Sequence, residues 1–191
     1  MDHLLLIRHG ITDANEQLLL AGRTDVPINE NGRKKLLELK AAGGYPDISN
    51  YHVFTSGLKR TEQTLEVLFG DVPHTAMPEF LEIDFGDFEM KSYAEMNNFR
   101  GLTDNTDYSS EEVQIPGGES TTDVAKRVAS GLAKLKALDG DCLVVCHGGA
   151  IFALMNLIYP GEKTLFEWSP EGGHGYMLDF TGEKVTYKCV P

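Results

Sequence analysis

Two short apolar runs, Leu4-Leu5-Leu6-Ile7 and Leu143-Val144-Val145-Cys146, each lead into a histidine followed by glycine. A run of about four apolar residues bounded by polar ones reads as a strand buried on both faces, the kind that fills a parallel sheet. In open α/β sheets ligands gather beyond the carboxyl ends of the strands. Arg8-His9-Gly10 and His147-Gly148-Gly149 stand at those ends. One strand-end histidine alone is usually structural. Two of them, far apart in the chain and each followed by glycine, predict neighbouring strands that share one site.

The rest of the chain alternates short apolar runs with helical patterns, which predicts an α/β fold with a largely parallel sheet. Strands are expected at 3–8, 51–55, 72–77, 141–146, 174–180 and 183–189, the last two forming a hairpin about Thr181-Gly182. Helices are expected at about 30–42, capped by Asn29, at about 57–69, and at about 120–138. The last opens with Ser120 and, three residues later, Asp123, a variant of the capping box. At 191 residues the chain suits one domain, residues 1–191. The stretch 97–118 turns polar and reads as part of a segment, 84–118, inserted over the site. Tyr93, Phe99 and Tyr108 are its candidate substrate contacts.

Charge narrows the partners. With 29 acidic against 17 basic residues, the net charge is −12, which argues against nucleic acid or an anionic membrane. No apolar run approaches the roughly 18 residues of a membrane span, and the expected location is the cytoplasm. Cys142, Cys146 and Cys189 lack CxxC spacing, so neither zinc nor a disulfide framework is indicated. An anion site in so acidic a chain needs cations gathered locally, and Arg8, Arg60, His9 and His147 are the candidates, helped by helix N-termini.

These blocks carry a resemblance. Arg8-His9-Gly10 with Thr12 and Asn15, Gly22 with Asp25 and Pro27, Thr55-Ser56-Gly57-Leu58-Lys59-Arg60-Thr61, Glu82 within Leu81-Glu82-Ile83-Asp84-Phe85-Gly86, Pro116-Gly117-Gly118-Glu119-Ser120 and His147-Gly148-Gly149 follow one another in the order of the histidine phosphatase, or phosphoglycerate mutase-like, superfamily. The resemblance implies a three-layer sandwich with helices on both faces of the sheet. It also implies His9 as nucleophile, Glu82 as general acid and Asn15 as a phosphate contact. The protein is then expected to be a phosphomonoester hydrolase for a small metabolite, working through a phosphohistidine without metal or other cofactor; a homodimer is compatible with this.

Phosphoryl transfer needs an in-line nucleophile, donors around the equatorial oxygens and an acid for the leaving group. Arg8 and Arg60 can fork onto phosphate oxygens, and His147 as an imidazolium can stabilise the charge there. Ser56 lies four residues before Arg60 at the start of a helix, on one face with it. Ser56, Asn15, Arg23 and Gly148 are the expected substrate-binding residues. Proton transfer from Glu82 calls for burial or neighbouring carboxylates, and Asp84 and Glu89 are near in sequence. No metal-ligand set or phosphate-cradling glycine loop is present.

Two residues depart from the resemblance. Ile11 stands where relatives often carry Glu or Gln. Met90 stands where the phosphatases often carry Gly, and is expected to alter the pocket wall. Gly149, Ala21 and the lack of a paired-arginine segment resemble the compact phosphatases, α-ribazole phosphatase-like proteins among them, more than the mutases. A cofactor-dependent mutase and a non-catalytic phosphate-binding module remain the alternatives.

Overall fold

In a computed structural model, which describes residues 1–100 and 114–191 with side chains for all of these but 97–100, one six-stranded sheet runs through the chain. The strands are β1 (His3–Arg8), β2 (His52–Thr55), β3 (Thr75–Ala76), β4 (Cys142–Cys146), β5 (Gly175–Asp179) and β6 (Thr186–Val190). Their order is β3-β2-β4-β1-β5-β6. The four on one side are parallel, whereas β5 and β6 are antiparallel to their neighbours and close the far edge as a hairpin. Each strand lies near its expected position except the third, where residues 72–77 give only Thr75–Ala76. Pro73, which has no N–H to donate, sits in the missing part.

Alternation of side chains across β1 and β4 makes the layers. Leu4, Leu6, Cys142, Val144 and Cys146 face α5 (Thr121–Lys136) and α6 (Gly148–Ile158). Leu5, Ile7, Leu143 and Val145 face α2 (Glu30–Ala42) and α3 (Lys59–Phe69). Because both strands are covered on both faces, they read as unbroken apolar runs. The remaining α-helices among the described residues are α1 (Asp13–Glu16), α4 (Tyr93–Arg100) and α7 (Leu165–Trp168). No helix among the described residues is long and apolar enough to cross a membrane.

Capping sets the helix starts. Asn29 accepts from the Gly32 amide at 2.8 Å, and Ser120 with Asp123 forms the expected reciprocal box. The helix expected at 57–69 begins later, at Lys59, because Gly57 takes φ +91° and Leu58 is still extended. Within the segment 84–118, Phe85, Phe88, Met96 and Ile115 pack with Leu20 into a small core of their own. Tyr108 lies outside the described residues, as does the side chain of Phe99.

Candidate active site

The sheet order brings the functional residues together. β1 and β4 are adjacent with Arg8 opposite Cys146, so His9 and His147 leave the sheet side by side. The His9 amide donates to the Cys146 carbonyl at 3.0 Å, and the two imidazole centroids are 5.1 Å apart. On the other flank of β4, β2 ends at Thr55, which delivers Ser56 and then Arg60 on the first turn of α3.

His9 Nδ1 lies 2.7 Å from its neighbour's carbonyl, Gly10 O. A carbonyl only accepts, so Nδ1 carries the proton and Nε2 presents its lone pair. Gly10 is fixed in turn by Thr64 Oγ1, which accepts its amide at 2.9 Å. The His9 ring is thus buried and held in one tautomer. Burial holds its pKa well below the ordinary 6.5, and the Arg60 and Arg8 charges act the same way.

His147 differs from expectation. Burial first, and then Arg60, His9 and Arg8, push its pKa well below the ordinary value, which favours the neutral ring. Its Nδ1 accepts from Arg60 Nε at 3.3 Å. Its Nε2–H then donates to Ser56 Oγ at 2.8 Å, Ser56 passes its proton toward Thr61 at 3.1 Å, and Thr61 donates to the Leu58 carbonyl at 2.7 Å. Ser56, expected to bind substrate, lines neither cavity: it is buried and holds the tautomer of His147.

Arg60 lines the smaller cavity of the site, and besides its Nε bond to His147 its hydrogen bonds go to the loop above it. Nη1 donates to Thr24 O at 3.0 Å, and Nη2 to Ala21 O at 3.0 Å and Gly22 O at 2.8 Å. These bonds shape the 21–24 loop and engage both terminal nitrogens, which the expected fork onto phosphate would have used. Glu89 secures the same loop from the other side. Its carboxylate accepts from the amides of Gly22, Arg23, Thr24 and Phe85 and from the Thr24 hydroxyl. Burial raises its pKa, yet these bonds outweigh burial and leave it lowered. Sequence reading missed this role, since nothing near Glu89 in the chain marks it.

Arg23 also departs from expectation. Its guanidinium approaches Glu119 at 3.2 Å and Asp84 at 3.8 Å, and it lines neither cavity of the site. The acidic neighbours of the 84–119 region capture it. Met90 lines neither cavity as well. It takes φ +60°, a backbone suited to the glycine often found there and strained for a side chain.

Two cavities meet at the site. The smaller, about 160 Å³, is walled by Arg8, His9, Thr12, Asn15, Arg60 and the 18–21 loop. The larger, about 320 Å³, runs from Glu82 and Gly148 between α5, α6 and α7, past Phe152, Leu157 and Phe166. Arg8, Glu82, Phe85 and Tyr93 border both. The expected contacts Arg8, His9, Asn15, Arg60, Glu82, Gly148 and Tyr93 are thereby assembled. Asn15 spends its Oδ1 on capping α1 through Thr12, which leaves its amide nitrogen for a ligand.

Glu82 sits where the cavities join, accepting from Ile83 N at 2.9 Å and from Gly149 N at 3.1 Å. A Cβ on Gly149 would fall 2.3 Å from Glu82 Oε1. The second glycine after His147 thus allows the carboxylate to reach the start of α6.

The buried neutral histidines predict a pH effect on stability. A histidine whose folded-state pKa is depressed contributes stability fully above the unfolded value near 6.5, and loses it as pH falls below that value. His74 works oppositely: chiefly its bond to the Val72 carbonyl raises its pKa. Comparison with His147→Gln removes that background. Between about pH 7.5 and about pH 5.5 the unfolding free energy of the wild type should fall more steeply than that of the variant. Parallel curves from denaturant titrations would contradict the neutral assignment.

With His9, Arg8, Asn15 and Arg60 around one small cavity and Glu82 at its edge, the geometry can seat a phosphoryl group against a neutral imidazole. Comparison with known proteins agrees. The family model for the histidine phosphatase superfamily (branch 1) matches residues 4–189. The phosphatase named PhoE of Bacillus subtilis is 33% identical over 86% of this chain and 81% of its own length. Adenosylcobalamin/alpha-ribazole phosphatase of Salmonella typhimurium is 30% identical, covering 98% of this chain and 95% of that one. A 2,3-bisphosphoglycerate-dependent phosphoglycerate mutase of Beijerinckia indica is 32% identical over 83% and 82%. In fold, the chain is similar to the alpha-ribazole phosphatase of Shigella flexneri, with a TM-score of 0.80 at 24% identity over 98% of this chain and 95% of that one. A match that spans nearly the whole sequence and includes both strand-end histidines leaves one assignment: the chain belongs to the histidine phosphatase superfamily, branch 1.

Proposed function

We propose that this protein is a metal-independent phosphomonoester hydrolase whose leaving group is uncharged and largely apolar. The observation that carries this reading is the lining of the larger cavity. Beside Ile83, Phe85, Met96, Ile115, Val124, Phe152, Leu157 and Phe166, its charged residues are Arg8, Glu82 and Glu119. Arg8 is the one cation among the described residues there, and it also borders the phosphate pocket. A mutase has to hold a carboxylate and a second phosphate on that side, and a mainly apolar wall with Arg8 as its one cation is poorly suited to both.

In the reaction, His9 Nε2 attacks phosphorus while Arg8, the Asn15 amide and the Arg60 charge balance the oxygens. Glu82 gives its proton to the leaving oxygen and afterwards takes one from the water that cleaves the N–P bond. Phosphate on His9 adds negative charge beside the His147 ring, which favours protonation of that ring. Gly149 bears on the hydrolytic reading: a Cβ there would fall 2.3 Å from Glu82 Oε1, so an asparagine, as the mutases carry, would require the carboxylate to shift. Among the described residues no cluster of three His, Cys, Asp or Glu side chains is suited to a metal ion.

The test is a panel of phosphomonoesters assayed for released phosphate in excess chelator. Aryl phosphates and nucleoside-type phosphates with apolar bases should be turned over with kcat/KM at least ~10-fold above glycerate phosphates, the worth of about 1.4 kcal/mol of pocket contact. Isomerisation of 3-phosphoglycerate with a bisphosphoglycerate primer, faster than phosphate release, would favour the mutase reading. Activity lost in chelator and restored by a divalent ion would refute metal independence.

A further inference from the structure

The Pro116-Gly117-Gly118-Glu119-Ser120 block contributes nothing to the phosphate pocket, yet Glu119 is half-buried at the edge of the larger cavity. Its carboxylate meets Arg127 of α5 in a two-pronged pair, Nε to Oε1 at 2.8 Å and Nη2 to Oε2 at 2.9 Å. That geometry belongs to arginine; a lysine ammonium cannot reproduce it.

What this pair holds is the segment that carries Glu82. Residues 81–84 belong to no strand or helix, so their polar backbone groups need partners from elsewhere. Arg127 supplies several: Nη1 donates to Glu79 O at 2.8 Å and Leu81 O at 2.9 Å, and Nη2 reaches Glu82 O at 3.4 Å. Glu119 supplies two more, since its Oε2 accepts the Asp84 amide at 2.9 Å and its own amide donates to Asp84 O at 3.1 Å. The Glu82 carboxylate has far less of its own. One of its two N–H partners is Ile83, its chain neighbour, so Gly149 alone of the two ties it to a separate element. The position of the acid therefore follows the position of its backbone.

We propose that Arg127, paired with Glu119, is a positioning residue that sets Glu82 for proton transfer to the leaving group. This rests on the reading of Glu82 as the acid given above. Arg23 extends the same clamp toward the phosphate loop, reaching Glu119 Oε2 at 3.2 Å. Displacement of a reacting group by about 1 Å costs ~10²-fold in rate, so loosening this clamp should be felt at the proton transfer and little elsewhere.

The experiment compares kcat/KM for an alkyl phosphate and for p-nitrophenyl phosphate in Arg127→Lys, Glu82→Gln and the double variant. Lysine keeps the positive charge, which also bears on His147, and removes the fork. Arg127→Lys should lose ~10- to 10²-fold on the alkyl phosphate and much less on p-nitrophenyl phosphate, whose leaving group hardly needs a proton. In the Glu82→Gln background the additional alkyl loss should nearly vanish, because two changes that act through one group do not add. Equal losses on both substrates, or a full additional loss in the Glu82→Gln background, would overturn the proposal and leave Arg127 a scaffold residue. If Glu82→Gln itself treats both leaving groups alike, the reading of the acid fails, and the proposal with it. Should Arg127→Lys fail to fold, Glu119→Gln, which keeps an oxygen for Arg127, is judged by the same ratios.

Discussion

His9→Ala is expected to lower kcat/KM for every substrate, aryl phosphates included, by ~10⁵- to 10⁶-fold, the scale seen when a covalent hydrolase loses its nucleophile. Leaving-group chemistry does not rescue it, since the lost atom is the one that attacks phosphorus. The fold should survive. The His9 side chain is held by one bond to its own neighbour, Gly10 O, and the strand before it remains sealed by Leu4, Leu5, Leu6 and Ile7, all fully buried. Thermal unfolding within a few degrees of the wild type, together with retained binding of inorganic phosphate, would separate lost chemistry from lost structure. Residual turnover within ~10²-fold of the wild type would mean that water or another side chain attacks directly, and that His9 only helps to bind.

The second large effect belongs to Glu82. Glu82→Gln keeps an oxygen for the Gly149 and Ile83 amides and deletes only the proton. General acid catalysis is worth ~10²- to 10⁴-fold, so kcat/KM for an alkyl phosphate should fall by that amount and for p-nitrophenyl phosphate by far less. The comparison belongs in kcat/KM or the burst, because dephosphorylation of His9 is common to both substrates and would mask it in kcat. Equal losses would assign Glu82 to positioning phosphate or activating water. Asp84 and Glu89 are poor substitutes as the acid: Asp84 accepts the Gly86 amide and faces Arg23, and the Glu89 carboxylate is occupied by the loop amides.

Much of this arrangement is legible in the chain because its signals are local. The two four-residue apolar runs mark β1 and β4, and their register makes the strand-end histidines neighbours. Capping residues such as Asn29 and Ser120 mark helix starts. The α6 helix is harder to read, because Gly148–Ile158 is apolar on nearly every side and begins after His147 without a side-chain cap. A helix buried all round loses the periodicity that identifies an amphipathic one.

The corrections share a cause of a different kind. Ser56, Arg23 and Arg60 have the chemistry of phosphate ligands, but their partners come from distant parts of the chain: His147 for Ser56, Glu119 for Arg23, the 21–24 carbonyls for Arg60. A buried guanidinium has to satisfy its donors wherever carbonyls are offered. Glu89 and Arg127, the two residues that brace the 21–24 loop and the segment carrying Glu82, carry no local mark at all. Their roles arise from long-range pairing that only the folded chain displays.

The most direct test of the account is to trap the intermediate. A rapid acid-free quench during turnover of a phosphate-labelled aryl substrate, followed by peptide mapping under alkaline conditions that preserve phosphoramidates, reads which atom was phosphorylated. The account predicts stoichiometric label on the peptide containing Arg8-His9-Gly10, borne by His9, and none in His9→Ala. Label on His147, on a hydroxyl or on no residue at all, with turnover intact, would contradict it.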